Sequence, residues 1–313
     1  MREDIKSAIL QYASARGLLC GICAAAGALC DRPPCARPPA PPFVRYTAEE
    51  RFDPSLALNT AKSVIVLGRP YPRISSDDSI LDAGVPRGRI SAGAVGVDYH
   101  RALKDELERL VLFLRELAGE FDYRIMVDTG PLCEREFARA AGVGWYGKNC
   151  CLYSPAYGSF FNIGLAVTSL ELPPTPAYPP DYSECGGCDI CARACPGGAI
   201  AANGFSVDWR RCSSYLTQKK EDLSDEEKHI IGNRVYGCDI CQNVCPKNAR
   251  APVLSDRRAM ERAAPDLNEL KDITNSAFKA RFSQTALYWR GAAVIRRNAG
   301  IALDNLGNCL TLE

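Results

Sequence analysis

CGGCDICARACP, residues 185–196, and YGCDICQNVCPKN, residues 236–248, decide how this chain is read. In the first run Cys185, Cys188 and Cys191 follow one another at intervals of three, and Cys195 precedes Pro196. In paired four-iron clusters three thiolates spaced in this way bind one cluster and the Cys-Pro thiolate reaches across to the other. The second run keeps Cys238, Cys241 and Cys245-Pro246, but Val235 stands where the first cysteine of a complete run would be. By the crossing rule Cys185, Cys188, Cys191 and Cys245 hold one 4Fe-4S cluster. Cys195, Cys238 and Cys241 then hold the second and need a fourth ligand, for which Cys212, lying between the runs, is the candidate. CxxC pairs also suit tetrahedral zinc. Two Cys-Pro endings and a four-cysteine run favour clusters.

Around this core the composition sets bounds. At 313 residues, 47% hydrophobic and 24% charged, the chain is long enough for two or three packed units of a soluble globular protein. Lys+Arg 38 against Asp+Glu 37 leaves a net charge of +1, so no global field advertises a polyanionic partner. No eighteen-residue apolar run occurs, and the opening MREDIKSAILQYASARG reads as an amphipathic helix, which points to a cytoplasmic protein without a membrane span. In that reducing setting sixteen cysteines hold metal more readily than they form disulfides. His100 and His229 are the only histidines, which argues against imidazole-rich metal sites.

The pattern is α+β in three parts. Residues 1–174 read as a mixed α/β domain: an opening helix, an apolar stretch over 17–29, the Pro-rich linker RPPCARPPAPPF, the strand-like KSVIVLG, and a helix over 98–117. YRIMVD is a strand that delivers Asp128 to a rim, followed by a turn at Gly130-Pro131 and a helical segment closed by Gly142. The second Pro-rich segment, LPPTPAYPPDYSE, marks the passage to a two-cluster domain over 175–250, and residues 251–313 are helical, with GAAVIRRNAGIALDNLG as a possible unit of a helical repeat. Cys20, Cys23, Cys30 and Cys35 are either a further metal set or, the favoured reading for Cys20 and Cys23, small buried hydrophobes of an apolar strand.

The strings VDTGPLCEREFARAAGVGWYGKN, YGSFFNIG, CGGCDICARACPGGAI, RCSSYLT and YGCDICQNVCPKN, in this order and spacing, resemble the epoxyqueuosine reductase family. The likeness extends through KSVIVLG, DYHRALKDELERL and YWRGAAVIRRNAGIALDNLG, covering about 52–306. The resemblance implies a ferredoxin-like domain with two 4Fe-4S clusters, followed by a short HEAT-like repeat segment. It also implies a base-off cobalamin held between the N-terminal and ferredoxin-like domains. The substrate it implies is tRNA carrying epoxyqueuosine in the anticodon stem-loop, with electrons from an external low-potential donor and a monomeric protein. The family's fourth ligand to the second cluster lies in the segment matching RCSSYLT, the same Cys212. Its catalytic acid maps to Asp128, and Tyr99, His100, Thr129, Trp145, Gly147, Lys148, Asn149, Gly158 and Ser159 map to the cofactor pocket. In GWYGKN and YGS small residues let backbone approach a flat ligand, with Lys148 and Asn149 as donors. The partial signature Asp98-x-His100-x-x-Leu103 lacks the glycine that accompanies histidine ligation of cobalt, so no protein ligand to cobalt is expected. Removing an epoxide oxygen as water needs protons, and desolvation beside a corrin would raise the Asp128 pKa. The bland alternatives are that Asp128 caps the next helix and that His100 is a satisfied helix-start histidine.

The chain departs from the family at Leu165, Ser169, Gly197 and Lys247, changes expected on the substrate side, and its helical segment stops at Glu313, earlier than in longer members. Arg257, Arg258, Arg262, Arg281, Arg290, Arg296 and Arg297 are either a phosphate-binding patch or solvated helix faces. Two alternatives stand beside epoxyqueuosine reduction: a reductase of the same architecture with another substrate, and a cluster-only electron carrier. The intact DTGP, GWYGKN and YGS strings argue against the carrier.

Overall fold

The run SVIVLG lacks alternation because its strand is covered on both faces. In the computed structural model, which describes residues 2–26, 41–47, 49–75, 77–178 and 183–310, four strands form the main sheet: β1 (Leu19–Ala24), β2 (Ser63–Pro70), β3 (Tyr123–Met126) and β4 (Phe161–Thr168). Their order is β1-β2-β4-β3, every pair antiparallel. One face is covered by α1 (Arg2–Ser14) and α2 (Tyr99–Ala118), where Tyr12 stacks on Phe113 with ring centroids 5.1 Å apart. Leu103, Leu107, Leu110, Val111 and Leu114 form the buried stripe of α2, at the spacing that keeps apolar side chains on one side of a helix. Leu103 and Leu107 lie directly over Gly164, where a Cβ would stand 2.9 Å from Leu107. The other face carries Cys23, Val64, Val66, Leu165 and Val167 against Phe137 and Ala138 of α3 (Glu134–Ala140). Gly142, at φ 69°, ends α3 as expected, and the Val143 amide returns to the Ala138 carbonyl at 2.8 Å.

By packing the chain divides into two units, Met1–Tyr71 with His100–Cys188, and Pro72–Tyr99 with Asp189–Glu313. Composition alone suggests breaks at 174 and 250. The segment Pro72–Tyr99 joins the second unit through two-residue strands, Arg73–Ile74 parallel to Val253–Leu254 and Arg89–Ile90 parallel to Arg234–Tyr236.

The second unit packs Val235, Tyr236, Leu267, Phe278, Phe282, Ile295 and Ala299 into one core. Its longest helix, α4 (Ala292–Leu310), carries the buried Asn298, whose Nδ2 donates to the carbonyls of Thr217 (2.7 Å) and Val235 (2.8 Å). Among the described residues no helix is long and apolar enough to cross a membrane. Cys30 and Cys35 lie outside the described residues.

Gly21 of β1 is set against α3 so closely that a Cβ would stand 1.9 Å from the Ala141 carbonyl oxygen. Gly21→Ala is expected to cost about 3 kcal/mol, the upper range for overpacking. The measurement is the denaturant midpoint, and a midpoint equal to the parent's would show that α3 does not pack on β1 in this way.

Candidate active site and metal centres

Each cysteine run folds as a loop entering a short helix, Ile190–Ala194 in the first and Ile240–Asn243 in the second, with Asp189 and Asp239 at the helix starts. Gly186, at φ 46°, makes the tight turn between Cys185 and Cys188, whose amide bonds the Cys185 carbonyl at 3.0 Å. Backbone N–H groups point at sulfur: Lys148 to Cys185 Sγ at 3.4 Å, and Ala199 to Cys195 Sγ at 3.3 Å. Such bonds stabilise cluster-bound thiolates and tune cluster potential.

Val235 explains the incomplete second run. It sits in the strand Arg234–Tyr236, fully buried in the core of the second unit, and is a packing residue. Cys212 stands at the start of the helix Ser213–Leu216, as its N-cap residue. Burial pushes the free Cys212 thiol up to about 11, and the nearby Cys238 and Cys241 add to the shift, so the three thiols share one environment. Cys238 is also raised by burial, and its sulfur takes the Ile240 amide. A buried thiol group of this kind suits iron, which holds its ligands as thiolates whatever their free pKa. Three backbone ties hold the Cys212 helix beside Cys238: Gly237 N–H donates to Thr217 Oγ1 at 2.9 Å, and Asn298 bonds both Thr217 and Val235. Among the described residues no three His, Cys, Asp or Glu side chains gather as a site for a single metal ion.

Cys20 and Cys23 resolve into the bland reading. In β1 they are three residues apart and therefore face opposite sides of the sheet: Cys20 pairs with Leu67 on the Gly164 side, and Cys23 lies among Val64 and Phe137. Burial pushes both thiols up to about 12, as expected of inert core cysteines.

Asp128 follows β3 in an unusual conformation. Its φ is 56°, and the Thr129 amide closes a three-residue turn onto the Val127 carbonyl at 2.6 Å. For an L-residue the left-handed region costs of order 1–2 kcal/mol, so its neighbours must hold it there. The Asp128 amide donates to Glu134 Oε1 at 2.7 Å, and Asp128 Oδ2 lies 3.4 Å from His100 Nε2. Asp128 does not cap α3, whose N-cap residue is Cys133. Its side chain is 63% exposed, and the desolvated carboxyl in this loop is that of Glu134, which the sequence reading missed. Burial above all, then the charge of Asp128, pushes Glu134 up to about 7, against the lowering effect of the amide bonds and Arg135. A second carboxyl six residues after the acid, opening the next helix, was the available signal. His100, the second residue of α2, has Asp128 as a partner, so it is more than a helix-start histidine.

The other expected pocket residues differ in exposure. Tyr99 opens α2 and is half-buried; Thr129 is exposed, and its carbonyl takes the Tyr46 hydroxyl at 3.2 Å. Trp145 is half-buried against Tyr153 and Tyr178. Gly147, Asn149, Gly158 and Ser159 are buried. Asn149 locks its own hairpin, accepting from the Cys151 amide at 3.2 Å and donating to the Tyr153 hydroxyl at 2.9 Å. Lys148 Nζ turns to the carbonyls of Gly186 (2.7 Å) and Cys188 (3.0 Å), bracing the first cysteine loop. In this conformation both are structural donors, where the sequence suggested cofactor donors.

Of the departures, Leu165 and Gly197 are buried, Ser169 is half-buried and Lys247 is exposed. Leu165 is fully buried in β4, Ser169 Oγ accepts the Asp122 amide at 3.0 Å, and a Cβ on Gly197 would stand 2.0 Å from the Arg211 carbonyl oxygen. Lys247 lies in the short helix Pro246–Asn248. Of the candidate phosphate-binding arginines, Arg257 pairs with Asp82 and Glu261 and Arg281 with Glu269. Arg296 bonds Ile273 O and Asn275, Arg297 bonds Glu221 O, and Arg290 stacks on Trp289. These five are engaged within their own unit.

Thiolates in this number and spacing define a redox protein that moves single electrons through four-iron clusters. Residues 184–248 match the family model described as a 4Fe-4S double cluster binding domain, and residues 51–129 match that of Epoxyqueuosine reductase QueG, DUF1730. The chain is 38% identical to the epoxyqueuosine reductase of Bacillus cereus over 265 residues, 83% of this chain and 68% of the relative. It is 38% identical to that of Bacillus subtilis over 274 residues, 86% and 70% of the two chains. The solved epoxyqueuosine reductase of Streptococcus thermophilus superposes with a TM-score of 0.83 at 32% identity, covering 97% of this chain and 82% of that one. A structure of an epoxyqueuosine reductase with an epoxyqueuosine-modified tRNA-Tyr stem loop gives 0.84 at the same identity and the same coverage. The chain belongs to the epoxyqueuosine reductase family.

Cys212→Ala is expected to lose one cluster, leaving about half of the parent's iron and acid-labile sulfide after anaerobic reconstitution. Iron content equal to the parent's would assign the fourth ligand elsewhere.

Proposed function

We propose that the chain reduces epoxyqueuosine to queuosine in tRNA. The reaction removes one epoxide oxygen as water and leaves a carbon–carbon double bond, taking up two electrons and two protons. The cysteines of residues 185–245, Cys212 among them, would hold two 4Fe-4S clusters, which when bound would supply electrons singly from an external low-potential donor. The acid turn carries this assignment: an electron carrier needs no carboxyl held in a left-handed turn, and a deoxygenating enzyme does. Asp128 is the proton donor to the departing oxygen, and His100, 3.4 Å away, orients its carboxyl.

Cobalamin is part of the same proposal. When bound it would supply a strongly reducing cobalt centre at the substrate. The residues fit such a group: half-buried His100 and exposed Thr129 stand beside Asp128, and half-buried Trp145 offers an aromatic edge. These residues would hold the ring, with no side chain assigned to cobalt.

The tRNA partner is proposed through its anticodon stem-loop, with the helices over 257–310 as the HEAT-like contribution to its grip and a monomer as the working form. The solved complex of a related enzyme with a modified stem loop supports this reading.

The test is anaerobic turnover of epoxyqueuosine-containing tRNA by the reconstituted protein with cobalamin and a low-potential reductant. Asp128→Asn is expected to lower turnover by about a hundredfold or more while iron content and corrin uptake stay at parental levels. Parental turnover in this variant would move proton donation to another group.

A further inference from the structure

We propose that Glu134 is a positioning residue for Asp128, holding its amide and so keeping the acid in the left-handed turn that presents its carboxyl to His100. The inference rests on the assignment of Asp128 as the proton donor.

Hydrogen bonds among the described residues shape the turn, one of them from Thr129 Oγ1 to the Val127 carbonyl at 3.3 Å. The Thr129 amide reaches Val127, the Tyr46 hydroxyl reaches the Thr129 carbonyl, and the Asp128 amide reaches Glu134. The last of these holds the backbone of Asp128 itself, and its acceptor is an ionisable side chain. Glu134 is well placed for this work. It is the first residue of α3, it follows the buried Cys133 whose amide is fixed to the Arg51 carbonyl at 2.9 Å, and it precedes the fully buried Phe137. A residue held at φ 56° against its intrinsic preference relaxes when its restraint is removed. An acid displaced by an ångström loses much of its catalytic effect.

The restraint carries a pH signature. Glu134 faces Asp128 and its own helix-start amide, with Arg135 beside it, His100 beyond Asp128 and Arg51 behind Cys133. Its carboxyl ionises as pH rises through about 7, and a charged acceptor makes the stronger bond to an amide. The turn is therefore held more firmly above that pH than below it. A glutamine keeps an acceptor oxygen but cannot ionise, whereas an alanine removes the acceptor.

The test compares Glu134→Gln and Glu134→Ala in the anaerobically reconstituted protein by hydrogen exchange over residues 126–131 and by turnover against pH. Glu134→Ala is expected to lose about tenfold or more in amide protection and in kcat, with KM within about twofold and iron content unchanged. Glu134→Gln is expected to restore most of both and to abolish the pH dependence near 7. Unchanged protection in Glu134→Ala overturns the proposal. Equal loss of kcat in both variants also overturns it, by assigning Glu134 to proton transfer. A parent protein inactive on epoxyqueuosine-containing tRNA would instead strike the functional reading, and exchange would still decide whether Glu134 holds the turn.

Discussion

A four-iron cluster persists only when four thiolates reach its corners from a frame stiff enough to keep them there. In this chain that demand accounts for much of the second unit. The residue that would complete the second run is Val235, and the fold has committed it to a strand in the apolar core. On the proposed assignment the missing corner comes from outside the run, from Cys212 at the head of its own short helix. Asn298 ties that helix to the strand preceding Cys238 by bonding Thr217 and Val235 at once. A buried amide with both bonds to main-chain carbonyls is a costly group to misplace, which makes it a dependable clamp. The helical segment after the cysteine runs thus supports the cluster frame of its own unit.

The first unit answers a different demand. The proposed proton delivery requires one carboxyl in one place, and the four-stranded sheet of this unit ends β3 at the turn that holds Asp128. The sheet itself is ordinary, with α1 and α2 on one face and α3 on the other. Asp128 is held at φ 56°, and its surroundings include His100 and the desolvated Glu134. Asp128 in its turn, Glu134 at the head of α3 and His100 on α2 bring three titratable groups together. Lys148, by contrast, serves the cysteine loop of the same unit, so the GWYGKN string contributes mechanical support as well as shape.

Much of this was legible in the residues. The continuous run SVIVLG, the stripe Leu103-Leu107-Leu110-Leu114 and the stop at Gly142 each state a pattern with one physical reading. The cysteine spacing did the same for the double-cluster domain that matches over residues 184–248. Other features were not legible for equally physical reasons. Two-residue strands such as Arg89–Ile90 have no periodicity to detect, so the membership of Pro72–Tyr99 in the second unit was hidden. Cys20 and Cys23 look like a ligand pair until strand geometry sends them to opposite faces. A left-handed aspartate leaves no mark on composition, and without it Glu134 is one more acidic residue at a helix start. Gly197 and Leu165 looked like changes near substrate because a sequence does not say which backbone passes within van der Waals reach.

The central claim is that eight cysteines, with Cys212 as the displaced corner, carry two four-iron clusters. Native mass spectrometry of the anaerobically prepared protein tests it most directly. The account predicts a mass increment of two [4Fe-4S] units on the intact chain. An increment of zinc alone, with no iron or sulfide, would contradict it.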